Sequence, residues 1–232
     1  MTTPSTISVV VPAHNEEELL PRCLAALKKQ TVDFELIVVD SASCDGTAAV
    51  AKRLGAKVIS VKELGLARAR QAGFDLAQGE IVVTTDADSV PPPDWLEGLT
   101  KPFRIPEVVG AYGSLILEGK GPLVRGAEGF FLFWQWLNHH LGRPLFCGPS
   151  FAVRKQAFEE VGGFKRGETF YADDETDIRL AFKLRRVGKV VFLPQVRILN
   201  STRKLSGWRG LGYLAHHTGN YFRLCWLRYN DV

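Results

Sequence analysis

The stretch Ile7-Ser8-Val9-Val10-Val11-Pro12-Ala13-His14-Asn15-Glu16 runs from an apolar segment directly into a polar turn. Its first part, Ile7–Val11, is rich in β-branched residues and shows no polar alternation, as expected of a strand covered on both faces. Apart from Ser8, polar side chains begin only where this segment ends. The stretch therefore predicts a buried strand of a parallel sheet, with chemically active residues at its carboxyl end.

Strand and helix patterns alternate outward from this stretch. Further strands are predicted at Phe34–Val39, Lys57–Val61 and Glu80–Thr85, with helices over residues 20–27, 46–54 and 66–77. Asn15 is expected to cap the first helix, with Glu18 three residues on. This repetition predicts an α/β fold with a mostly parallel, doubly wound sheet flanked by helices.

The second half of the chain is less regular. Strands are predicted at Val108–Leu117, Phe146–Val153 and Val190–Leu193, and helices at Gly121–Leu141 and Asp174–Val187. The aromatic segment Phe130–Trp136 is interpreted as a core helix in preference to a membrane contact. The chain is divided into residues 1–195, with halves 1–100 and 101–195, and a basic, aromatic segment 196–232.

Acidic residues follow three of the predicted strands. Glu16 lies after the first strand, Asp40 after the second, and Asp86-Ala87-Asp88 after the fourth. Because the carboxyl ends of parallel strands share one edge, these carboxylates should converge, which is costly without a cation or ligand hydroxyls. Asp-x-Asp directly after a strand can bind a hard cation whose shell the ligand's phosphates complete. The alternative is that Asp is simply favoured at a turn.

Composition restricts the class of protein further. The 232 residues are 46% hydrophobic and 23% charged, which is typical of a globular domain. The four cysteines form no CxxC pair, so neither a zinc site nor a disulfide framework is indicated and a reducing compartment is expected. No secretory signal is predicted, and no apolar run approaches the roughly 18 residues of a membrane span. We expect a cytoplasmic protein, peripheral at the inner face of the membrane.

Charge is distributed unevenly along the chain. Residues 1–177 hold 24 acidic and 18 basic residues, whereas residues 178–232 hold one acidic and 11 basic residues. This basic quarter predicts an anionic partner, for which a diphosphate, a phospholipid surface and nucleic acid are the candidates. No nucleic-acid recognition motif is visible, so nucleic acid is not expected.

Four groups of residues resemble the motifs of family 2 glycosyltransferases with the A-type fold, in order and spacing. They are VVVPAHNE (residues 9–16), VVDSASCDGT (38–47), GLARARQAG (65–73) and TDADS with PPDWL (85–89 and 92–96). The resemblance covers about residues 6–194. It implies a nucleotide-binding sheet and metal-dependent transfer of a sugar, with inversion, from a nucleoside-diphosphate sugar.

The resemblance also implies roles for individual residues. In it Asp40 accepts from the base, Asp86 reaches the ribose, and Asp88 is the direct protein ligand to Mg²⁺ or Mn²⁺. The implied nucleotide-sugar-binding residues are Pro12, Ala13, Asn15, Glu16, Asp40, Arg68, Asp86 and Ala87. The alternatives are that Asn15 only caps its helix and that Arg68 and Arg70 form a solvated face.

In similar proteins a Glu-Asp pair opens a late helix, and its Asp is the general base. The apolar series before Gly188 places that residue at Asp177, but the preceding residue here is Thr176 rather than Glu. Asp174 or Glu175 is therefore an alternative base. A further alternative is that these acids only cap the helix.

Other family features are missing or displaced. No His follows the last predicted strand, so Asn200, Arg203 or Lys204 is expected at the diphosphate, with His216-His217 a weaker candidate. The processive Gln-x-x-Arg-Trp signature is absent, which favours single-sugar transfer. Cys147 is a weak candidate nucleophile, without a base nearby in sequence.

The expected partners are a nucleotide-sugar donor, UDP- rather than GDP-linked, a carbohydrate or lipid-linked acceptor, and an anionic membrane. The principal rival is a nucleotide-sugar-binding module without turnover, which would act as a partner or sensor. A pyrophosphorylase is a further rival, but its Gly-rich basic loop is absent after the first strand.

Overall fold

The computed structural model describes residues 6–119, 121–166, 169–170 and 176–203. Its strands are β1 (Ile7–Ala13), β2 (Glu35–Ser41), β3 (Lys57–Val61), β4 (Ile81–Thr84), β5 (Ser89–Val90), β6 (Val108–Leu117), β7 (Phe151–Arg154), β8 (Lys165–Arg166), β9 (Thr169–Phe170) and β10 (Lys189–Asn200). Its helices are α1 (Leu20–Leu27), α2 (Thr47–Arg53), α3 (Leu66–Leu76), α4 (Trp95–Thr100), α5 (Pro122–His140), α6 (Lys155–Glu160) and α7 (Thr176–Val187), with a 3₁₀ turn at Lys101–Arg104.

Eight strands form one sheet in the order β3-β2-β1-β4-β7-β6-β10-β5. Strands β1 to β4 pair in parallel, as do β6 and β10, while β7 and β5 run antiparallel to their neighbours. Six strands therefore share one direction, and the predicted mostly parallel sheet is confirmed. A separate ribbon pairs β8 with β9.

Helices cover both faces of this sheet. Val9 and Val11 of β1 pack with α1, α2 and α4 on one face, whereas Val10 packs with α3, α6 and α7 on the other. Helix α3 lies very close to β1, since a Cβ at Gly73 would stand 2.3 Å from a Val10 methyl. This two-sided burial explains the nearly continuous apolar run of the first strand.

The predicted helix cap at Asn15 is wrong. Helix α1 begins at Leu20 after Leu19, without a side-chain cap, and Asn15 lies four residues earlier with a φ of 53°. Its Oδ1 accepts instead from the backbone N–H of Cys44 at 2.9 Å. Asn readily adopts this left-handed conformation, so the residue joins the turns after β1 and β2.

Two predicted strands have different bounds. The predicted strand Phe146–Val153 begins only at Phe151, because a turn closed from Ser150 N–H to the Cys147 carbonyl at 2.7 Å precedes it. The closing strand is longer than predicted. Its pairing with β6 shifts register between Phe192 and Arg197, so the sheet continues beyond the irregularity to Asn200. The division of the chain at residue 195 stays a prediction, and residues 204–232 lie outside the described ranges.

The interpretation of the aromatic segment as a core helix is wrong for one of its faces. Segment 130–136 does lie in α5, but Phe130 is 63% and Phe133 54% exposed. The face of α5 toward the sheet carries polar residues instead, including fully buried Gln135. Across the described residues, no helix combines the length and apolar character needed to cross a bilayer.

Candidate active site

Three acidic turns meet at the carboxyl edge of the sheet, as the sequence predicts. Strand β1 lies between β2 and β4, and Ala13 at its end pairs in register with Asp40. Asp86 follows β4 directly, with Thr85 N–H bonded to the Val10 carbonyl at 3.2 Å. The order of strands β2-β1-β4 therefore places all three turns side by side.

Arg70 is the residue that joins the two halves of the site. It projects from α3 and is only 1% exposed. Its Nη1 donates to Oδ1 of Asp177 in a short ion pair, and its Nη2 donates to Asp86 Oδ1 at 3.2 Å and to the Gly148 carbonyl at 3.0 Å. One buried guanidinium thus links the acidic turn after β4 to the first turn of α7.

Gly148 lies against the ion pair between Arg70 and Asp177. A Cβ at this position would stand 2.9 Å from Asp177 Oδ2 and 3.3 Å from Arg70 Nη2. The turn that carries Gly148 is therefore in van der Waals contact with the Asp177 carboxylate. Only a residue without a side chain fits here while the ion pair keeps its position.

Burial raises the pKa of the Asp177 carboxyl above its ordinary value, and Asp86 raises it further, while Arg70 acts in the opposite direction. For Arg70, burial alone would lower the pKa, but the carboxylates of Asp177 and Asp86 raise it. The guanidinium consequently stays charged. Asp177 is a buried carboxylate that binds a proton more readily than an exposed one.

Of the three candidate bases, Asp177 lies within the described residues. Asp177 lies in the first turn of α7, and Thr176 before it is fully buried. Asp174 and Glu175 lie outside the described residues, so their candidacy stays a prediction. Asp177 nevertheless contacts the buried arginine of the site, which a residue serving only as a helix cap has no need to do.

Two buried carboxylates lie at the carboxyl ends of β1 and β2. Asp40 accepts from Ser60 Oγ at 3.3 Å through Oδ2, while its Oδ1 has no partner within the described ranges. Glu16 accepts from Arg203 Nη2 at 2.5 Å through Oε1, while its Oε2 lacks a partner in the same part of the chain. Buried acceptors without donors are costly, so both oxygens fit a ligand that supplies N–H or O–H groups.

The remaining predicted nucleotide residues differ in burial. Pro12, Ala13 and Ala87 are buried, and Asn15 is exposed at the turn it organises. Arg68 is 42% exposed and pairs with Glu63. Because residues two apart point away from each other on a helix, Arg68 and Arg70 occupy different sides of α3. The solvated-face alternative is therefore wrong for Arg70, and the predicted role of Arg68 at the base and phosphates stays a prediction.

Asp86 and Asp88 offer carboxylate oxygens, the donor type that Mg²⁺ and Mn²⁺ prefer. Asp88 is half-buried, and both carboxylates lie near the buried Cys23 thiol, whose pKa is raised by burial and by these two charges. The described residues contain no group of three or more His, Cys, Asp or Glu side chains able to hold a metal. The residues present fit a cation only if ligand oxygens complete its shell.

Cys147 has no features of a nucleophile. It is 2% exposed, and burial raises the pKa of its thiol well above the ordinary value, with Asp86 and Asp177 adding to the effect. The thiolate is the reactive form, and this environment suppresses it. Cys147 is a buried residue close to the Arg70 guanidinium.

Arg70 is the functional residue that sequence reasoning missed. The motif GLARARQAG contains two arginines, and the sequence does not show which one turns inward. The signal was nevertheless present, because buried Ala67 and Phe74 lie three residues before and four residues after Arg70, which places all three on one side of α3. Arg70 belongs to that side and Arg68 to its exposed border.

Comparison with known proteins agrees with this geometry. A model of the family "Glycosyl transferase family 2" matches residues 8–162. The undecaprenyl-phosphate 4-deoxy-4-formamido-L-arabinose transferase of Serratia proteamaculans (strain 568) is 40% identical over 106 residues, covering 41% of this chain and 32% of that protein. The 4,4'-diaponeurosporenoate glycosyltransferase of Staphylococcus haemolyticus (strain JCSC1435) is 38% identical over 93 residues, covering 37% and 25%.

Solved structures show the same architecture. The mannosyltransferase PcManGT from Pyrobaculum calidifontis, in complex with GDP-Man and Mn²⁺, superimposes with a TM-score of 0.70 at 25% identity, covering 96% of this chain and 65% of that one. The glucosyl-3-phosphoglycerate synthase of Mycobacterium tuberculosis superimposes with a TM-score of 0.64 at 22% identity, covering 93% and 79%.

The sheet order, the acidic edge and these neighbours define the A-type glycosyltransferase fold. The family model covers well over half of the chain, and the chain belongs to glycosyl transferase family 2. It spans about a third of the length of the Serratia relative and a quarter of that of the Staphylococcus relative.

Proposed function

We propose that the chain transfers a single sugar from a nucleoside-diphosphate sugar to an acceptor hydroxyl, with inversion at the anomeric carbon. The observation that carries the proposal is the contact of Arg70 with both Asp86 and Asp177. Asp86 belongs to the turn assigned to the donor, and Asp177 to the helix start assigned to the acceptor. A sugar bound between Asp86 and Asp177 would therefore contact both the donor-side turn and the acceptor-side helix.

The donor side binds the nucleotide through buried acceptors. Asp40 Oδ1 needs a donor, which the N–H edge of uracil or guanine supplies, and Glu16 Oε2 needs one as well. UDP-sugars are favoured over GDP-sugars because the resemblance in the motifs points first to uracil. We assign Asp86, which Arg70 holds at 3.2 Å, to the ribose.

A divalent cation, Mg²⁺ or Mn²⁺, would be held by Asp88 together with oxygens of the donor. When bound, it supplies positive charge that stabilises the diphosphate as it leaves. PcManGT and the mycobacterial synthase were both solved with Mn²⁺. Arg203, now bonded to Glu16 at 2.5 Å, is a cationic side chain at the same edge.

Asp177 acts as the general base on the acceptor side. Its carboxylate takes the proton of the acceptor hydroxyl while the hydroxyl oxygen forms the new bond to the anomeric carbon and the bond to the diphosphate breaks. Attack opposite the leaving group inverts the anomeric configuration. A pKa raised by burial strengthens Asp177 as a base, and the fixed contact with Arg70 aims it.

The acceptor is proposed to be lipid-linked or a carbohydrate, and the reaction to take place at the cytoplasmic face of a membrane. Support comes from the curated relatives, whose names refer to undecaprenyl phosphate and to 4,4'-diaponeurosporenoate. Both compounds are apolar molecules with a polar end.

The proposal is tested by incubating the full chain with UDP- and GDP-sugars, Mn²⁺ or Mg²⁺, and acceptors that carry a free hydroxyl, both oligosaccharides and polyisoprenyl-linked sugars. We expect release of the nucleoside diphosphate that depends on the cation and on the acceptor, and a product of inverted configuration by NMR. The rival, a binding module without turnover, predicts nucleotide binding by calorimetry without any release. Retained configuration would overturn the single-displacement mechanism.

A further inference from the structure

Helix α5 has its polar and apolar sides reversed relative to an ordinary surface helix. Phe130, Phe133 and Trp136 are 63%, 54% and 46% exposed, and their spacing of three residues places them along one side of the helix. Leu141, immediately after the helix, is 51% exposed. These residues, Phe130, Phe133, Trp136 and Leu141, are called the aromatic face below.

The opposite side of α5 is polar but satisfied by the sheet. Gln135 accepts from Ser114 Oγ at 2.7 Å and donates to the Gly113 and Leu145 carbonyls, each at 3.3 Å. His139 Nδ1 lies 3.2 Å from the Tyr112 hydroxyl. These buried hydrogen bonds fix the rotation of α5 about its own axis. The aromatic face, on the opposite side of the helix, therefore points toward solvent.

The aromatic face is uncharged along its length. Arg125 and Glu128 are the charged side chains of α5, and they pair with each other at 2.8 Å near its beginning. Neighbouring rings stack along the surface, with centroids 6.1 Å apart for Phe133 and Trp136. A contiguous exposed apolar surface of this kind marks a site of interaction.

The border of the aromatic face is basic. No Asp or Glu occurs between Gly129 and Phe158 in the sequence. Arg185, an exposed residue at the end of α7, lies against Gly142, where a Cβ would stand 2.7 Å from its Nη2. Arg186 beside it is exposed as well. Exposed aromatic rings bordered by arginines complement a layer of hydrocarbon beneath anionic headgroups.

We propose that the aromatic face is a membrane-docking surface that rests in the outer part of an anionic bilayer. One short connection links α5 to the candidate site, since the segment after the helix carries Leu145, bonded to Gln135, and Gly148, bonded to Arg70. Docking there delivers a lipid-borne acceptor hydroxyl to Asp177. The delivery of an acceptor in this inference rests on the proposed function. The membrane docking itself rests only on the observations of α5.

The experiment compares the full chain with the double variant Phe133→Ser/Trp136→Ser in sedimentation with vesicles. The vesicles contain phosphatidylcholine alone or equal parts of phosphatidylcholine and phosphatidylglycerol. We expect the wild type to bind the anionic vesicles and the double variant to bind them at least about tenfold more weakly, because two aromatic side chains no longer leave water. Ile105→Ser, which removes an equally exposed apolar side chain elsewhere, is the control and should bind like the wild type.

A second measurement locates the contact. Brominated acyl chains should quench part of the tryptophan fluorescence, and Trp136→Phe should lose that part while still sedimenting with the vesicles. Concentration-dependent dimers that the double variant abolishes, without vesicle binding, would show a second copy on this face. A large fall of the double variant's melting temperature with unchanged vesicle binding would show that the two rings pack within the protein and do not meet the membrane. Either result overturns the proposal.

The proposed function is judged separately from the docking. Vesicle binding without nucleotide release leaves the docking surface and removes the transferase. Nucleotide release to a soluble acceptor without vesicle binding leaves the transferase and removes the docking surface.

Discussion

Arg70 and Asp177 are 107 positions apart in the chain, yet their side chains form an ion pair in which Arg70 is 1% and Asp177 17% exposed. Such a pair is costly to desolvate, and removing one partner strands the other as a buried charge. The fold therefore brings together a cation from α3 and an acid from the first turn of α7. Both catalysis and stability should respond to this junction.

Replacing Arg70 by Met should destabilise the fold by about 3–5 kcal/mol, because Asp177 loses its counter-charge. Arg70→Lys keeps the charge but not the two-pronged geometry, so it should keep more of the stability and lose much of the transfer activity. Arg53→Lys, at an exposed arginine in the last turn of α2, is the matched control. Urea unfolding measures the change in stability, and initial rates measure the change in transfer activity. Equal effects at Arg70 and at the control arginine would contradict the role assigned to Arg70.

The pH dependence of transfer should reveal Asp177. The base acts when deprotonated, so the rate rises with pH through its pKa, and burial places this rise above the ordinary value for Asp. Arg70 lowers the pKa of Asp177, so removing the arginine charge should move the rise to higher pH. Arg70→Met and Arg70→Lys should therefore differ in the position of the rise and not only in rate. A rise at the same pH in both variants would show that another group is titrating.

Asp177→Asn should reduce transfer by about two to four orders of magnitude, because it removes the proton acceptor while keeping the shape and any capping ability. Donor affinity should hardly change. Asp33→Asn, an exposed substitution at the other edge of the sheet, is the control. Asp174→Asn and Glu175→Gln complete the series. If one of these two is inactive while Asp177→Asn is not, the base lies two or three residues earlier.

Gly148→Ala tests the position of the base without removing it. The added Cβ would meet Asp177 Oδ2 at 2.9 Å and must displace the carboxylate by a few tenths of an ångström. We expect a lower kcat with unchanged nucleotide affinity, since displacements of this size weaken catalysis strongly. Gly126→Ala, where nothing lies within 4 Å, is the matched control and should be active. Full activity of Gly148→Ala would mean that Asp177 is not held in a working position here.

Much of the fold could be predicted from sequence because local signals agreed with burial. The apolar run of β1 is covered by side chains on both faces, and the acidic turns follow strands whose carboxyl ends meet. The cap at Asn15 was predicted wrongly because an Asn before a helix can either cap that helix or accept a hydrogen bond from a distant backbone N–H. Which one applies depends on the Cys44 N–H, 29 positions away.

The site was harder to predict because its central contact is a tertiary one. Nothing local distinguishes Arg70 from Arg68 except the helical phase of α3, and the partners of Arg70 come from β4, α7 and the turn at Gly148. The exposed rings of α5 were misjudged for a related reason. Aromatic residues usually mark a core, but here Ser114 and the carbonyls of Gly113 and Leu145 hold the polar side of the helix inward.

Asp40→Ala should weaken nucleotide binding by about 1–3 kcal/mol, the range for losing a hydrogen bond to a buried charge. The unpartnered Oδ1 is the atom expected to meet the base, and Ser60 fixes the other oxygen at 3.3 Å. Ser60→Ala is the matched control and should weaken binding less. Calorimetry with UDP, and with ribose 5-phosphate as a ligand without a base, separates base recognition from phosphate recognition. An equal loss for both ligands would place Asp40 away from the base.

Asp88→Asn should remove the cation dependence of donor binding while leaving the fold intact. The side chain is half-buried beside the edge of the sheet, and the substitution removes one negative charge without changing volume. Asn is a weaker ligand for a hard cation, so the gain in UDP affinity on adding Mn²⁺ should largely disappear. Asp45→Asn, in the turn after β2 where Oδ1 accepts from Thr47, is the control with the same chemistry. Calorimetry of UDP with and without Mn²⁺ measures the difference, and thermal unfolding without ligand checks the fold. If Mn²⁺ strengthens UDP binding equally in the wild type and in Asp88→Asn, the cation is held by other groups and the metal assignment is wrong.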